Sequence, residues 1–396
     1  MTTTFVFAYY SYKDPVFQSA VLPYLKLVKN DDLRFVLLTW EQKKFSLSDQ
    51  QSEKIKKELL EHRIIWKQTR WHSGKLKILK KIYDLIKGIL FSIFLSVKYS
   101  ANKIYSEGFP GAIIGHVVSK IIRKPHIIHT FEPHADYMCD SGVWKVTNWE
   151  YRLIKKMEIP IAHHAFRIIT ATEAYRNILI KKGVKSQISV VPSCIDFQVY
   201  KFQPEKRSEI RKELKISDDQ LVIVYLGKLG GMYLDDELFY FFKHCLSQNH
   251  QKFYFLLFTN TACEEVDQYC LKHDIPKNKI FTKYLQKNEV PFYLSAADIA
   301  FCGVRNIPSQ RYSSPIKNGE YWACGLPVLI LKGVSDDYIQ INEHQLGLVY
   351  NHSNQISIDS LISLAQMSKD SISLKAKRIR GIINYREFYF QLFSNK

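Results

Sequence analysis

Short unbroken apolar runs, separated by amphipathic stretches, recur along the whole chain. In the first half they read "TTFVFAY", "RFVLLT", "HIIHTF" and "FRIITAT". Strands that are apolar without alternation are strands buried on both faces, as in a parallel sheet. Between them lie helical patterns. "DPVFQSAVLPYLKLVKN" opens on Asp-Pro in the manner of a capped helix, and "SDQQSEKIKKELLEH" follows the second run. Irregular chain bracketed by Pro192 and Pro204 interrupts the alternation, with a boundary near 191–203. A second series then begins: "LVIVYLG", "FYFLLFT", "KIFT", "DIAF" and "PVLIL", with helices expected over 234–247, 264–273 and 288–295. The pattern predicts α/β architecture: two doubly wound, Rossmann-like parallel-sheet halves. Ligands in such sheets sit beyond the carboxyl ends of the strands, so two facing halves would enclose a cleft.

Composition narrows this picture. A chain of 396 residues exceeds one ordinary core and suggests about two or three domains. Hydrophobic content of 46% and charged content of 24% exclude a disordered chain. The formal net charge of +18 favours anionic partners, although a plain solvated lysine-rich surface would give the same balance. Neither zinc-finger spacing nor an RNP-like aromatic motif accompanies the charge, so nucleic acid is not expected as a partner. The seven cysteines are irregularly spaced without a C-x-x-C pair, and read as reduced thiols of a cytoplasmic protein. "MTTTFVFAYY" lacks the layout of a signal peptide.

The most membrane-like stretch is "KIYDLIKGILFSIFLSVKYS". Its uncharged centre between Lys87 and Lys98 is ten residues, half of what a span needs. A buried core helix is the expectation. The alternative is a helix lying on an anionic bilayer surface, which Lys75, Lys77, Lys80, Lys81 and Lys87 would favour.

Three stretches carry candidate chemistry. In "YSSPIKNGEYWACGLPVLI" (312–330), Pro315 suits the first turn of a helix that Ser313 or Ser314 could cap. Its N-terminus would offer free N–H groups to a diphosphate, with Lys317 adding charge. Glu320, on the same face as Lys317, could accept two hydroxyl hydrogen bonds from a ribose. A surface Lys–Glu pair is the alternative. "YLGKLGG" places Gly227 and Lys228 right after a strand, where backbone can approach a phosphate. It is neither G-x-G-x-x-G nor a P-loop, and a simple strand–helix turn would look the same. "HTFEPHADYM" clusters His129, Glu132 and His134 at a strand end, either as chemistry or as structural histidines. A metal set built from His129, His134, His163 and His164 lacks a carboxylate–histidine spacing. No D-x-D occurs, so a diphosphate here would be neutralised by Lys228, Lys317 and backbone amides, without a metal.

"SSPIKNGEYWACGLPVLI" resembles the donor-site segment of retaining GT-B glycosyltransferases, family 4 in particular. "SVVPSCIDFQVYKF", "IVYLGKLGG", "KIFTKYLQKNEVPFYLSAADIAF" and "GVSDDYIQINEHQLGLVY" continue the likeness through the C-terminal half. The N-terminal half resembles the family more loosely, at "DPVFQSAVLPYL" and "PHIIHTFEPHADYMCDSGVW". The resemblance implies an acceptor-side domain over 1–195, a donor domain over 196–375, and a final helix, about 376–396, packing back on the first. It implies that Glu320 binds the donor ribose, that Lys228 and Lys317 meet the donor phosphates beside Gly227, Ser313 and Ser314, and that Thr282, Lys283 and Tyr284 line the base pocket. Glu132 or His134 would face the transferred sugar as the candidate catalytic group. The donor would be a nucleotide-diphosphate sugar and the acceptor a glycan or a lipid-linked glycan, in cell-surface polysaccharide or glycoconjugate synthesis; no cofactor is implied. Tyr312 stands where the family often has the first glutamate of a Glu-x7-Glu pair, and the second lysine common in the phosphate loop is missing near Tyr233. Two rivals remain from the sequence: a nucleotide-sugar epimerase of the same fold, and a catalytically inactive basic protein that binds membrane or nucleic acid.

Overall fold

The structure, a computed structural model, describes residues 1–72 and 77–394, with backbone alone at 77–79. It divides into two compact units: Met1–Cys139 with Val143–Pro192 and Ile382–Lys396, and Ser193–Gly381 with Asp140–Gly142. The first holds seven strands: β1 (Thr2–Ala8), β2 (Leu33–Glu41), β3 (Ile64–Arg70), β4 (Lys103–Glu107), β5 (His126–Thr130), β6 (Arg167–Thr170) and β7 (Gln187–Val190). Their order is β3-β2-β1-β4-β5-β6-β7, all parallel. The second holds β8 (Leu221–Leu226), β9 (Phe253–Phe258), β10 (Ile280–Lys283), β11 (Ile299–Phe301), β12 (Val328–Leu331) and β13 (Gly347–Tyr350), ordered β10-β9-β8-β11-β12-β13 and again all parallel.

Nine strands fall on the expected apolar runs. The other four, β3, β4, β7 and β13, do not, for two reasons. β3, β7 and β13 are sheet edges, where a strand need not be apolar on both faces. β4 is interior, yet reads "KIYSE", because its buried polar groups are partnered. Ser106 Oγ lies 2.9 Å from His126 Nε2, and the Glu107 carboxylate 3.2 Å from His129 Nδ1.

Each unit has its own core. In the second, the Phe242 and Phe255 rings stack at 4.1 Å, and Phe241 stacks on Phe301 at 4.9 Å. In the first, the closing helix Arg386–Phe393 sets Phe393 against Phe35 and Tyr105, at 5.0 and 5.2 Å, and Tyr389 against Tyr24 at 4.8 Å. The returning segment starts at Ile382 and not near 376, because helix Lys369–Arg380 runs unbroken to a buried Arg380 that bonds inside the second unit.

Helix Lys77–Lys98 overturns the expectation of a plain core helix. Its inward row is Asp84, Gly88, Ser92 and Ser96, joined by Leu95. Its outward row is Ile82, Ile86, Leu90, Phe94 and Val97, between 47% and 66% exposed. An ordinary surface helix has the reverse arrangement. Small inward residues let the helix lie close on the aromatic layer of the sheet: a Cβ at Gly88 would sit 2.5 Å from the Trp40 ring. Lys75 lies outside the described residues.

Gly88→Ala is therefore expected to destabilise the protein by about 1–3 kcal/mol through overpacking, against the ~1 kcal/mol that alanine ordinarily adds to a helix. Urea unfolding of wild type and variant checks it; a more stable variant would show that Trp40 has room.

Candidate active site

In the second sheet the direction of winding reverses between β8 and β11, the place where α/β sheets hold ligands. The loops leaving these two strands are tied together. Leu234 N donates to Gly303 O at 2.7 Å, and Arg305 N to Met232 O at 3.0 Å. The Tyr225 ring lies between them. A Cβ at Gly303 would meet it at 2.2 Å, and its hydroxyl donates to Lys228 O. That bond fixes the backbone of the Gly227–Lys228 turn and leaves the Lys228 side chain exposed.

The second component is helix Ile316–Ala323. Tyr321 joins it to the Lys228 turn: Leu226 N donates to the Tyr321 hydroxyl at 2.8 Å. The helix thus presents Lys317 and Glu320 beside the end of β8. Lys317 Nζ donates to Glu320 Oε2 at 2.9 Å. This is not a surface pair. Glu320 is 3% exposed, and the buried Tyr200 hydroxyl also bonds to it. Burial first, and the Glu320 charge second, push the Tyr200 hydroxyl far above its ordinary pKa, so it stays a donor. Lys317 and Tyr200 close over the Glu320 carboxylate, so it is buried and not open to solvent.

The start of this helix also differs from expectation. Pro315 is the cap residue, not a first-turn residue, and neither serine caps the helix. Ser313 Oγ donates to Gln310, at 3.1 Å to its carbonyl and 2.7 Å to Oε1. Ser314 Oγ accepts from Ser193 N at 3.1 Å and from buried Arg380 at 2.5 Å. Arg380 also pairs with Asp337, to which Asn318 donates at 2.8 Å. Ser314 therefore anchors the segment. At the end of β10, Thr282 is half-buried, Tyr284 is exposed, and Lys283 is held by Glu289 and Tyr293 at 2.9 and 3.0 Å.

The first sheet reverses in the same way, between β1 and β4. Past the ends of these strands lies a cavity of about 560 Å³ within this unit. Glu132 and His134, the sequence candidates after β5, both line it, with Tyr10 and Glu107. Burial raises the Glu132 carboxyl to about 7, with the Glu158 carboxylate adding to the shift. Glu158 is itself raised to about 7 by burial, although it accepts from Ala135 N at 2.9 Å. Burial lowers His134 to about 4, so its ring is neutral at pH 7. His129 is fully buried against Glu107 and Tyr105, a structural role. Among the described residues no three His, Cys, Asp or Glu side chains gather as a metal site.

Tyr200, Tyr321 and Glu158 escaped the sequence reading. Each acts through a partner distant in sequence, and no local motif marks it.

Residues 206–373 match the family model for glycosyl transferases group 1, so this segment carries a domain of that class. Among solved structures, HepE from Anabaena in complex with UDP superposes with a TM-score of 0.72 at 15% identity, over 100% of both chains. Sucrose-phosphate synthase from Thermosynechococcus elongatus follows at 0.69 and 12%, and the lipopolysaccharide outer core galactosyltransferase WaaB at 0.66 and 14%, each over 100% of both chains. These likenesses define the fold: two parallel-sheet α/β units of the GT-B architecture. No curated protein matches the chain.

The raised Glu132 carboxyl carries a sign. It holds its proton more tightly folded than unfolded, so its contribution favours folding at low pH and is lost as pH climbs from 4.5 through about 7. Glu132→Gln removes the buried charge. It is expected to melt at least roughly 2 °C above wild type at pH 8.5 and level with it near pH 5. Melting curves across that range check this; a constant difference would mean that Glu132 is solvated.

Proposed function

We propose that this protein is a retaining glycosyltransferase that moves a hexosyl group from a nucleotide-diphosphate sugar to a glycan or lipid-linked acceptor, in the synthesis of a cell-surface polysaccharide or glycoconjugate. The observation that carries the reading is the Tyr321 hydroxyl. It ties the Lys228 turn to the helix bearing Lys317 and Glu320, and so gathers two cations, a carboxylate and helix N–H groups at one strand edge. The group 1 domain over 206–373 supports the same reading.

In this mechanism the donor diphosphate lies against Lys228, Lys317 and the N-terminus of helix Ile316–Ala323, without a metal. The ribose hydroxyls bond to Glu320, displacing Lys317 toward the phosphate. Thr282, Lys283 and Tyr284 border the base. Departure of the nucleoside diphosphate builds negative charge on its terminal phosphate, which the two lysines stabilise, and the leaving oxygen takes the proton of the incoming hydroxyl as that hydroxyl bonds to C1 of the sugar. Glu132, protonated in part near neutrality, and neutral His134 orient the sugar and the incoming hydroxyl. Retention needs no separate base to activate water.

No described helix is long and apolar enough to cross a membrane. The outward row of helix Lys77–Lys98, with Lys87 and Lys98 beside it, instead suits the surface of an anionic bilayer. Binding to acidic vesicles is expected to fall steeply with salt. Equal partitioning to neutral and acidic vesicles would remove the lysines from the account.

Thermal-shift screening of nucleotide sugars, followed by a transfer assay with and without EDTA, tests the function. HepE is solved with UDP and with UDP-glucose, so UDP-hexoses head the screen. Stabilisation by one donor and EDTA-resistant transfer are expected. Binding without transfer or hydrolysis would point to an inactive homologue, and activity restored only by Mg²⁺ would overturn the metal-free site. Glu320→Gln is expected to weaken nucleotide binding by about 1.5–3 kcal/mol, the worth of a charged hydrogen bond. Calorimetry reads the affinity, and circular dichroism confirms that the variant keeps its fold. Unchanged affinity would leave Glu320 a structural partner of Lys317 and Tyr200.

A further inference from the structure

The cavity around Glu132 and His134 has two chemical ends. Its inner end is polar: Tyr10, Glu107, Glu132 and His134. Of these, Glu107 is already engaged by His129 Nδ1 at 3.2 Å, while Glu132 and His134 reach the cavity without a charged partner among the described residues. A phenol, a carboxyl group and an imidazole on one cavity wall offer donors and acceptors that suit a hydroxylated ligand. The floor carries carboxyl groups and no cation; the cation lining the cavity is Lys81, 4.0 Å from Glu150. Such a floor takes neutral hydroxyls and repels a phosphate.

The rest of the wall is apolar. Trp71, Trp144 and Trp149 line it, with Ile113, Leu153 and Met157. Sugar recognition alone does not need so much hydrocarbon. Helix Lys77–Lys98 supplies Lys81 and Leu85 to the rim, while its next residues, Ile82 and Ile86, begin the exposed apolar row. A hydrocarbon chain leaving the cavity past Leu85 would pass onto that row.

We infer that this cavity binds a glycolipid acceptor, with a neutral sugar head on the Glu107–Glu132–His134 floor and its hydrocarbon chain along the tryptophan wall. The inference rests on the glycosyltransferase reading and narrows its acceptor to the lipid-linked class. It also gives Leu153 and Trp149 a part in choosing that acceptor, which no local motif marks.

Four of the six tryptophans, Trp40, Trp71, Trp144 and Trp149, line the cavity, so intrinsic fluorescence reports its occupancy without any donor. The probes are methyl, octyl and dodecyl glucoside below their micellar concentrations, and a dodecyl glucoside brominated at the chain end. Affinity is expected to rise about threefold to fourfold per added methylene until the cavity is full, with quenching by the brominated chain. Leu153→Asp, at a half-exposed wall position that tolerates charge, is expected to lower dodecyl glucoside affinity at least tenfold and leave methyl glucoside unchanged. Leu90→Asp, on the outer face of helix Lys77–Lys98, is expected to spare alkyl glucoside binding and abolish binding to acidic vesicles. Transfer to a glycolipid embedded in vesicles is expected to fail in Leu90→Asp while transfer to soluble octyl glucoside persists; equal loss of both would place the chain on the outer face. Affinity independent of chain length, or equal effects of the two substitutions on dodecyl glucoside, would overturn the assignment. Because the fluorescence needs no nucleotide sugar, its failure leaves the donor site standing, and failure of donor binding leaves the cavity assignment standing.

Discussion

Parallel strands cannot be joined by tight turns. Each must be followed by a crossover that carries the chain back along one face of the sheet. In both units the crossovers change face at one strand pair, β1 with β4 and β8 with β11, and there successive crossovers part to opposite faces of the sheet. This parting leaves a crevice at the carboxyl edge that no helix covers. Most of the candidate chemistry sits at these two partings: the Lys228 turn after β8, the loop after β11 that leads to Lys317 and Glu320, and the Glu132 cavity beyond β1 and β4; Thr282, Lys283 and Tyr284 stand apart, at the end of edge strand β10. The topology determines where function can sit, and the side chains determine what it is.

What sits there is costly to keep. Glu107, Glu132, Glu158 and Glu320 are carboxyl groups largely withdrawn from water. Burying such groups is unfavourable unless each finds partners or takes up a proton. Glu320 finds two, Lys317 and Tyr200; Glu107 finds His129; Glu132 and Glu158 share their site by holding protons near neutrality. A chain selected for stability alone would have replaced them with apolar residues.

The visibility of these features in the sequence follows the range of the interactions that make them. Strands buried on both faces announce themselves as apolar runs. β4 does not, because Ser106 and Glu107 are satisfied by histidines one strand away. The pairing of Lys317 with Glu320 is helical spacing and reads directly; its burial is not readable, because the lid over it is Tyr200, on a distant segment. The serines before that helix looked like caps and prove to be struts, since Arg380 reaches in from the far end of the unit. The tryptophan wall gathers Trp40, Trp71, Trp144 and Trp149 from four separate stretches, a clustering that only the fold creates.

The inverted helix has a further consequence. A helix that turns Asp84, Gly88, Ser92 and Ser96 inward gains little apolar burial along that row, and the Ser92 and Ser96 hydroxyls find no partner there. Leu95, with Ile89, Phe91 and Ile93, holds it on the core, and the two unpartnered hydroxyls lower the free energy needed to open it. Its backbone amides would then exchange with deuterated solvent ahead of those of β1 and β2, and slow down once the outer row is covered by lipid. Because the same helix supplies Lys81 and Leu85 to the Glu132 cavity, whatever covers its outer row and steadies it would also steady that cavity, so the two faces of one helix are coupled.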